Sequence, residues 1–126
     1  MQNLSNQQTL QQQRAASAFQ QVDGINDKKY GSLARSLPAM IQIDGLGHAL
    51  AFLKAKGAKE RHFIQLYNHV EEWLKLRFGF GNQDLLKWVI EQNSNIYRQV
   101  TSEALSYLLW IRRFVEAKGL TEDQQE

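Results

Sequence analysis

Three histidines, a pair of adjacent glutamates, a glycine-flanked phenylalanine and several basic clusters are the residues of this chain that could do chemistry. His62 and His69 fall on one helical stripe but seven residues apart. At about 1.5 Å rise per residue their Cα atoms stand roughly 10 Å apart, too far for two imidazoles to share one ion easily. His48 falls opposite Leu46, Leu50 and Leu53, so all three histidines read as surface side chains. Glu71 and Glu72 point about 100° apart around a helix and make no catalytic carboxylate pair. Gly79-Phe80-Gly81 lacks the third glycine of a dinucleotide loop and follows a helical stretch, so it reads as a helix break. No serine has a candidate base at a recognisable spacing. The expectation is no catalytic residue, no metal site, no cofactor and no enzyme.

Cations suggest a different chemistry. Lys54, Lys56, Lys59 and Arg61 flank the turn at Gly57, with Glu60 as the one acid among them. Lys28, Lys29 and Arg35 lie on the second helix, and Arg112 and Arg113 interrupt an apolar run that ends near Lys118. Phosphate binding needs cations gathered on one surface, because each contact releases condensed counterions. A solvated face accounts for the same residues without a ligand. At least one of Arg112 and Arg113 is expected to pair an acid or cover apolar surface with its stem. Trp73, Trp88 and Trp110 could stack bases. Each lies on or beside an apolar stripe, so the expected role is core packing.

The elements that must position these residues are helical throughout, since no stretch alternates apolar and polar residues. Gln7 to Gln21 carries a sparse stripe ending at Gly24; Asn26 or Asp27 caps a short helix from Lys28 to Leu37; Pro38 opens another. Asp44 caps a helix stopped at Gly57. Lys59 to Phe78 is the cleanest amphipathic stretch, with Phe63, Leu66, Tyr67, Val70, Trp73 and Leu74 on one side. Asn82 caps a helix through Ile90, and Asn93-Ser94-Asn95 opens the last one, to Lys118. From Ala104 to Val115, nine of twelve residues are apolar, which places that helix at the centre with several neighbours. The expectation is an all-α, compact single-domain bundle of about five to seven helices around a central C-terminal helix. One domain spans 1–126, with flexible ends at 1–8 and 120–126.

The stretch Tyr30 to Gly57 carries Leu37-Pro38, Met40-Ile41, Gly45-Leu46, then Ala51-Phe52-Leu53 and Lys56-Gly57. It resembles the signature of the small α-helical subunit of the Cmr complex, the RNA-targeting type III-B CRISPR effector. Tyr97-Arg98, Thr101, Glu103-Ala104-Leu105, Tyr107-Leu108, Trp110 and Arg112-Arg113 look like that family's C-terminal helix. The likeness spans most of Arg14 to Leu120. It implies an all-helical, non-catalytic protein, several copies of which stack into a filament beside the crRNA-carrying backbone subunits and help hold target RNA. Cleavage would belong to the backbone subunits and nucleotide signalling to the large subunit. Base pairing with the guide would supply sequence specificity. The implied partners are therefore the other Cmr subunits, further copies of the chain, and the target RNA/crRNA ribonucleoprotein. The candidate RNA contacts are Lys54, Lys56, Lys59, Arg61, Arg112 and Arg113. A protein-only scaffold, with these cations facing acidic neighbours, is the competing reading.

Bulk properties agree with that picture. Cysteine is absent, so neither a disulfide framework nor a thiolate metal site exists. The Gln- and Asn-rich start has no signal-peptide pattern, and no stretch approaches the roughly 20 apolar residues of a membrane span. A cytoplasmic location is expected. The formal charge of +2 hides an acidic tail: without Glu122, Asp123 and Glu126, residues 1–120 carry 15 bases against 10 acids, a net +5. That bias is compatible with an acidic partner.

Overall fold

A computed structural model describes residues 8–121. Six helices follow one another: α1 Leu10–Asp23, α2 Lys28–Asp44, α3 Leu46–Gly57, α4 Arg61–Phe78, α5 Leu85–Ile90 and α6 Ser94–Ala117. No strand occurs among the described residues, so the all-α expectation holds. Leu120 and Thr121 are buried; the rest of the expected flexible tail, and nearly all of the expected flexible start, lie outside the described residues.

α6 packs against α1, α2, α4 and α5, in keeping with its apolar content, but it shares the centre with α4, which touches all five other helices. α1 runs parallel to α6: Arg14 meets Glu103, Ser17 meets Tyr107 and Phe19 meets Phe114. Lys118 locks this pairing. Its ammonium donates to the carbonyls of Val22, Asp23 and Ile25 at 3.0, 3.0 and 2.6 Å, which satisfies acceptors left open where α1 ends. α2 and α4 run antiparallel to α6. Arg35 of α2 lies near Glu116, while Trp73 of α4 stacks on Tyr107 and Arg77 approaches Glu103.

Several local expectations are corrected. Pro38 does not open a helix; α2 runs unbroken through it. A mid-helix proline forfeits one backbone bond and costs about 3 kcal/mol, but Leu37 and Ile41 on either side are driven into the core and hold the helix continuous. Asp44 is the last residue of α2 rather than a cap, and Gly45 takes the N-cap position of α3 without a side-chain bond. The Tyr97 hydroxyl substitutes from α6, accepting from the Gly47 N–H at 2.8 Å. Asp84, not Asn82, caps α5. This six-residue helix is too short to stand alone. Glu71 accepts from Leu85 N–H and the Tyr67 hydroxyl accepts from Leu86 N–H, both at 2.9 Å, so α4 serves the two first-turn N–H groups that Asp84 does not.

Glycine serves here for close approach. A Cβ on Gly31 would lie 1.4 Å from the carbonyl oxygen of Leu120, so the close crossing of the chain after α6 over α2 depends on the missing side chain. α3 ends at Gly57 as expected, with Ala58 in the C-cap position. Its bare Cα also lets α3 close on α4, where a Cβ would meet that of Ile64 at 2.8 Å. Lys59 and Glu60 N–H groups both bond to the Lys56 carbonyl, and α4 begins only at Arg61.

Candidate nucleic-acid interface

The turn after α3 holds its cations near one end of the bundle but does not aim them together. Lys54 and Lys56 are two residues apart, hence about 200° apart around the helix axis. Lys54 reaches Asp84 at 2.9 Å and lies 5.3 Å over the Tyr67 ring, on the α5 side. Lys56 lies 6.0 Å from the Phe52 ring centroid, on the α2 side. Lys59 is exposed on the turn, and Arg61 opens α4 beside Gly24–Asp27 and Gln65. Asp84 is partly spent on structure. Burial pushes its carboxyl up, but Lys54, the Tyr67 hydroxyl and the Lys87 N–H outweigh that and hold it below the usual range.

The other pair is drawn into a tighter cluster. Arg112 Nε lies 3.2 Å and Arg113 Nη1 3.5 Å from Glu116, and Arg35 of α2 approaches the same carboxylate at 3.3 Å. Guanidinium groups from two helices thus gather at one carboxylate. Arg113 is 60 % exposed and faces solvent. The acid expected for one of these arginines is Glu116, at helical i,i+4 spacing from Arg112. The contribution of Arg35 required the tertiary contact between α2 and α6.

A run of exposed apolar side chains lies beside this cluster. Phe19 of α1 is 56 % and Leu109 of α6 49 % exposed. Phe19 packs edge-on against Phe114, which stacks on Trp110 at 5.7 Å. Trp110 and Leu109, with Gln11, Arg14, Ser106 and Arg113, line a surface groove of about 490 Å³ between α1 and α6. The core role expected of the three tryptophans holds fully for Trp73, while Trp88 and Trp110 pack against the core from its edge. Trp73 is core, 2 % exposed; Trp88 is half-buried and stacks on Phe80; Trp110 is half-buried on a groove wall. The α6 run is apolar nearly all round, and the bundle covers it except along a strip at Leu109 and Arg113.

The histidines are corrected. His48 is not in the core, but His62 is only 8 % exposed, and the His69 Nδ1 lies 2.7 Å from the Tyr30 hydroxyl. Burial holds the His69 pKa below its ordinary value, against a weaker pull from Glu72. Among the described residues no three His, Cys, Asp or Glu side chains gather as metal ligands. The most buried charge belongs to a structural network. Glu103, 6 % exposed, takes Arg14 through two bonds of 2.7 and 2.9 Å and the Trp73 indole N–H at 2.8 Å, with Arg77 at 3.6 Å. These places offer charge and aromatic surface.

Residues 10–118 match the family described as CRISPR-associated protein (Cas_Cmr5). Among solved structures, the chain is similar to a CRISPR-associated Cmr5 family protein from Thermus thermophilus, with 27 % identity and a TM-score of 0.74 over 88 % of this chain and 97 % of that one. The sequence resemblance and the six-helix architecture thus point the same way, and the chain belongs to the Cmr5 family, small subunits of the type III-B CRISPR complex.

Proposed function

We propose that this chain is a non-catalytic, cytoplasmic structural subunit that stacks beside the crRNA-bound backbone of a Cmr effector, contacts further copies of itself, and helps hold target RNA through basic surface residues. The observation that carries the RNA part is the Arg112–Arg113 edge, where exposed guanidinium groups of α6 gather with Arg35 of α2 around one carboxylate. Guanidinium groups grip phosphate without reading bases, which suits an RNA whose sequence varies. Lys54, Lys56, Lys59 and Arg61 form a second, looser set at the bundle end. Long exposed side chains there can follow a backbone that passes over the turn.

The test compares assembled complexes by filter binding over a salt series. One carries Lys54, Lys56, Lys59 and Arg61 changed to Ala; another carries Arg112 and Arg113 changed to Gln. Removing one phosphate contact flattens the salt slope by about 0.7–1 unit, equally for all target sequences. Unchanged affinity and slope in both, with the subunit incorporated, would reject the RNA role.

The second reading is a scaffold that meets only protein, and the strip of Phe19, Leu109, Trp110 and Phe114 favours it. Aromatic side chains on a polar-rimmed surface are enriched in protein contacts. The two roles are compatible on different faces, and the salt series separates them.

A further inference from the structure

A groove between α2 and the α3–α4 turn has the composition of a nucleotide site. It is shallow and open to solvent, with a volume of about 420 Å³. Phe52 and Phe63 form one wall, edge to face with centroids 5.6 Å apart, and Met40 and Leu33 of α2 form the other. His62 also lines it, with its ring 4.2 Å from that of Phe63. This imidazole is the unexpected member. Only 8 % of the residue is exposed, yet among the described residues neither ring nitrogen has a hydrogen-bond partner, and neither nitrogen is sealed from solvent. With no protein partner, these nitrogens are left to solvent or to whatever occupies the groove. Neutral imidazole offers one donor and one acceptor. That pairing matches the edge of a nucleobase, which presents the same two kinds of group.

The rim supplies what a nucleotide's phosphate needs. Lys29 lines the groove, and the Lys56 ammonium lies against Phe52 at its edge. Glu60 and His62 are the N-cap and second residue of α4, so the start of this 18-residue helix borders the groove. The Glu60 side chain makes no capping bond, and the first turn contains no acid. Helix N–H groups left without a side-chain cap favour an anion. Glu60 is the one carboxylate in the lining.

We infer that this groove binds one base of single-stranded RNA, with the base against Phe52 and Phe63, its edge on His62, and a neighbouring phosphate at Lys29, Lys56 and the start of α4. The inference rests on the RNA-holding role and adds a base contact to one that phosphates alone would satisfy. A partner protein's side chain is the alternative occupant. An apolar one matches the aromatic walls and an acidic one the lysines and the helix start, whereas a single nucleotide carries both chemistries.

The test titrates the full chain with ten-nucleotide oligoadenylate and with an abasic ribose-phosphate oligomer of equal length, followed by ring NMR signals and by fluorescence anisotropy of labelled oligomers. Oligoadenylate should shift the His62 and Phe63 ring signals and bind on the order of tenfold tighter than the abasic chain, the range expected for one stacked base. Met40→Trp, which fills an open groove rather than a packed core, should erase that difference and leave abasic binding unchanged. His62→Phe should weaken only oligoadenylate. Equal binding of the two oligomers without ring shifts would overturn the base site while leaving phosphate contact standing. Binding of neither would overturn the base site and the RNA role together. If Met40→Trp blocks entry into the assembled complex while RNA leaves the rings unmoved, the groove belongs to a protein partner and the inference is wrong.

Discussion

Removing Arg14 should unbalance the buried carboxylate of Glu103. Glu103 is 6 % exposed, and its carboxylate is answered by Arg14 through two bonds, by the Trp73 indole, and by Arg77 at 3.6 Å. In Arg14→Leu the carboxylate keeps one neutral donor and one distant cation. Stranding a buried charge costs about 3–5 kcal/mol. Arg14 is 18 % exposed and Arg77 35 %, so water reaches this edge and the lower figure applies, about 3 kcal/mol. That is on the order of 10 °C in midpoint for a domain of this size. In Glu103→Leu the guanidinium groups can turn outward, and the main loss is the Trp73 N–H left without an acceptor, about 1–3 kcal/mol. The double variant should cost well under the sum, because neither charge is then stranded. The pH dependence follows in sign. Burial raises the Glu103 carboxyl, but Arg14, Trp73 and Arg77 outweigh it and hold its pKa below 4.5 in the folded protein. The stabilisation is therefore present above the unfolded value and lost as pH falls from about 4.5 toward the folded one. Glu103→Gln should lack this acid-side loss. The assay is urea and thermal unfolding by circular dichroism at pH 7 and from pH 5 downward. An Arg14→Leu variant within about 1 kcal/mol of wild type, or an additive double variant, would refute this account of the network.

Three further outcomes follow from the packing. Gly31→Ala places a Cβ 1.4 Å from the Leu120 carbonyl oxygen and should cost about 3 kcal/mol in urea unfolding, whereas Gly24→Ala, with nothing within 4 Å, should be within about 1 kcal/mol of wild type. Trp110→Ala should cost only about 1–2 kcal/mol, not the 3–5 of a fully buried aromatic, and should instead weaken incorporation into the assembled complex, read by co-purification. His69, held below 6.5 by burial and bonded to Tyr30, should titrate below that value by ring NMR; its contribution to stability is present above pH 6.5 and lost as pH falls, a loss that His69→Gln should not show.

Repeating periodicities settled what the chain could settle alone. The helical period around Leu66, Tyr67, Val70, Trp73 and Leu74 follows from how a helix must face a core, and the structure buries all five. Gly79 and Asn93 mark helix ends by local chemistry that needs no distant partner. Spaced packing residues between Leu37 and Gly57 carried the family, because closely packed helices constrain those positions together. Contacts between segments far apart in sequence could not be read that way. Glu103 and Arg14 are 89 residues apart, and nothing local tells a buried glutamate from an exposed one. Pro38 read as a boundary because its local cost is real, and burial of its neighbours overrode it. Lys54 and Lys56 share a turn in sequence and face opposite ways, since a helix separates residues two apart. Arg35 joined Arg112 and Arg113, and His62 came to line a groove, only when α2 closed on its neighbours. Local spacing fixes which face of a helix is apolar; which helix that face meets, and which polar groups are trapped or exposed by the meeting, is decided by packing the whole chain at once.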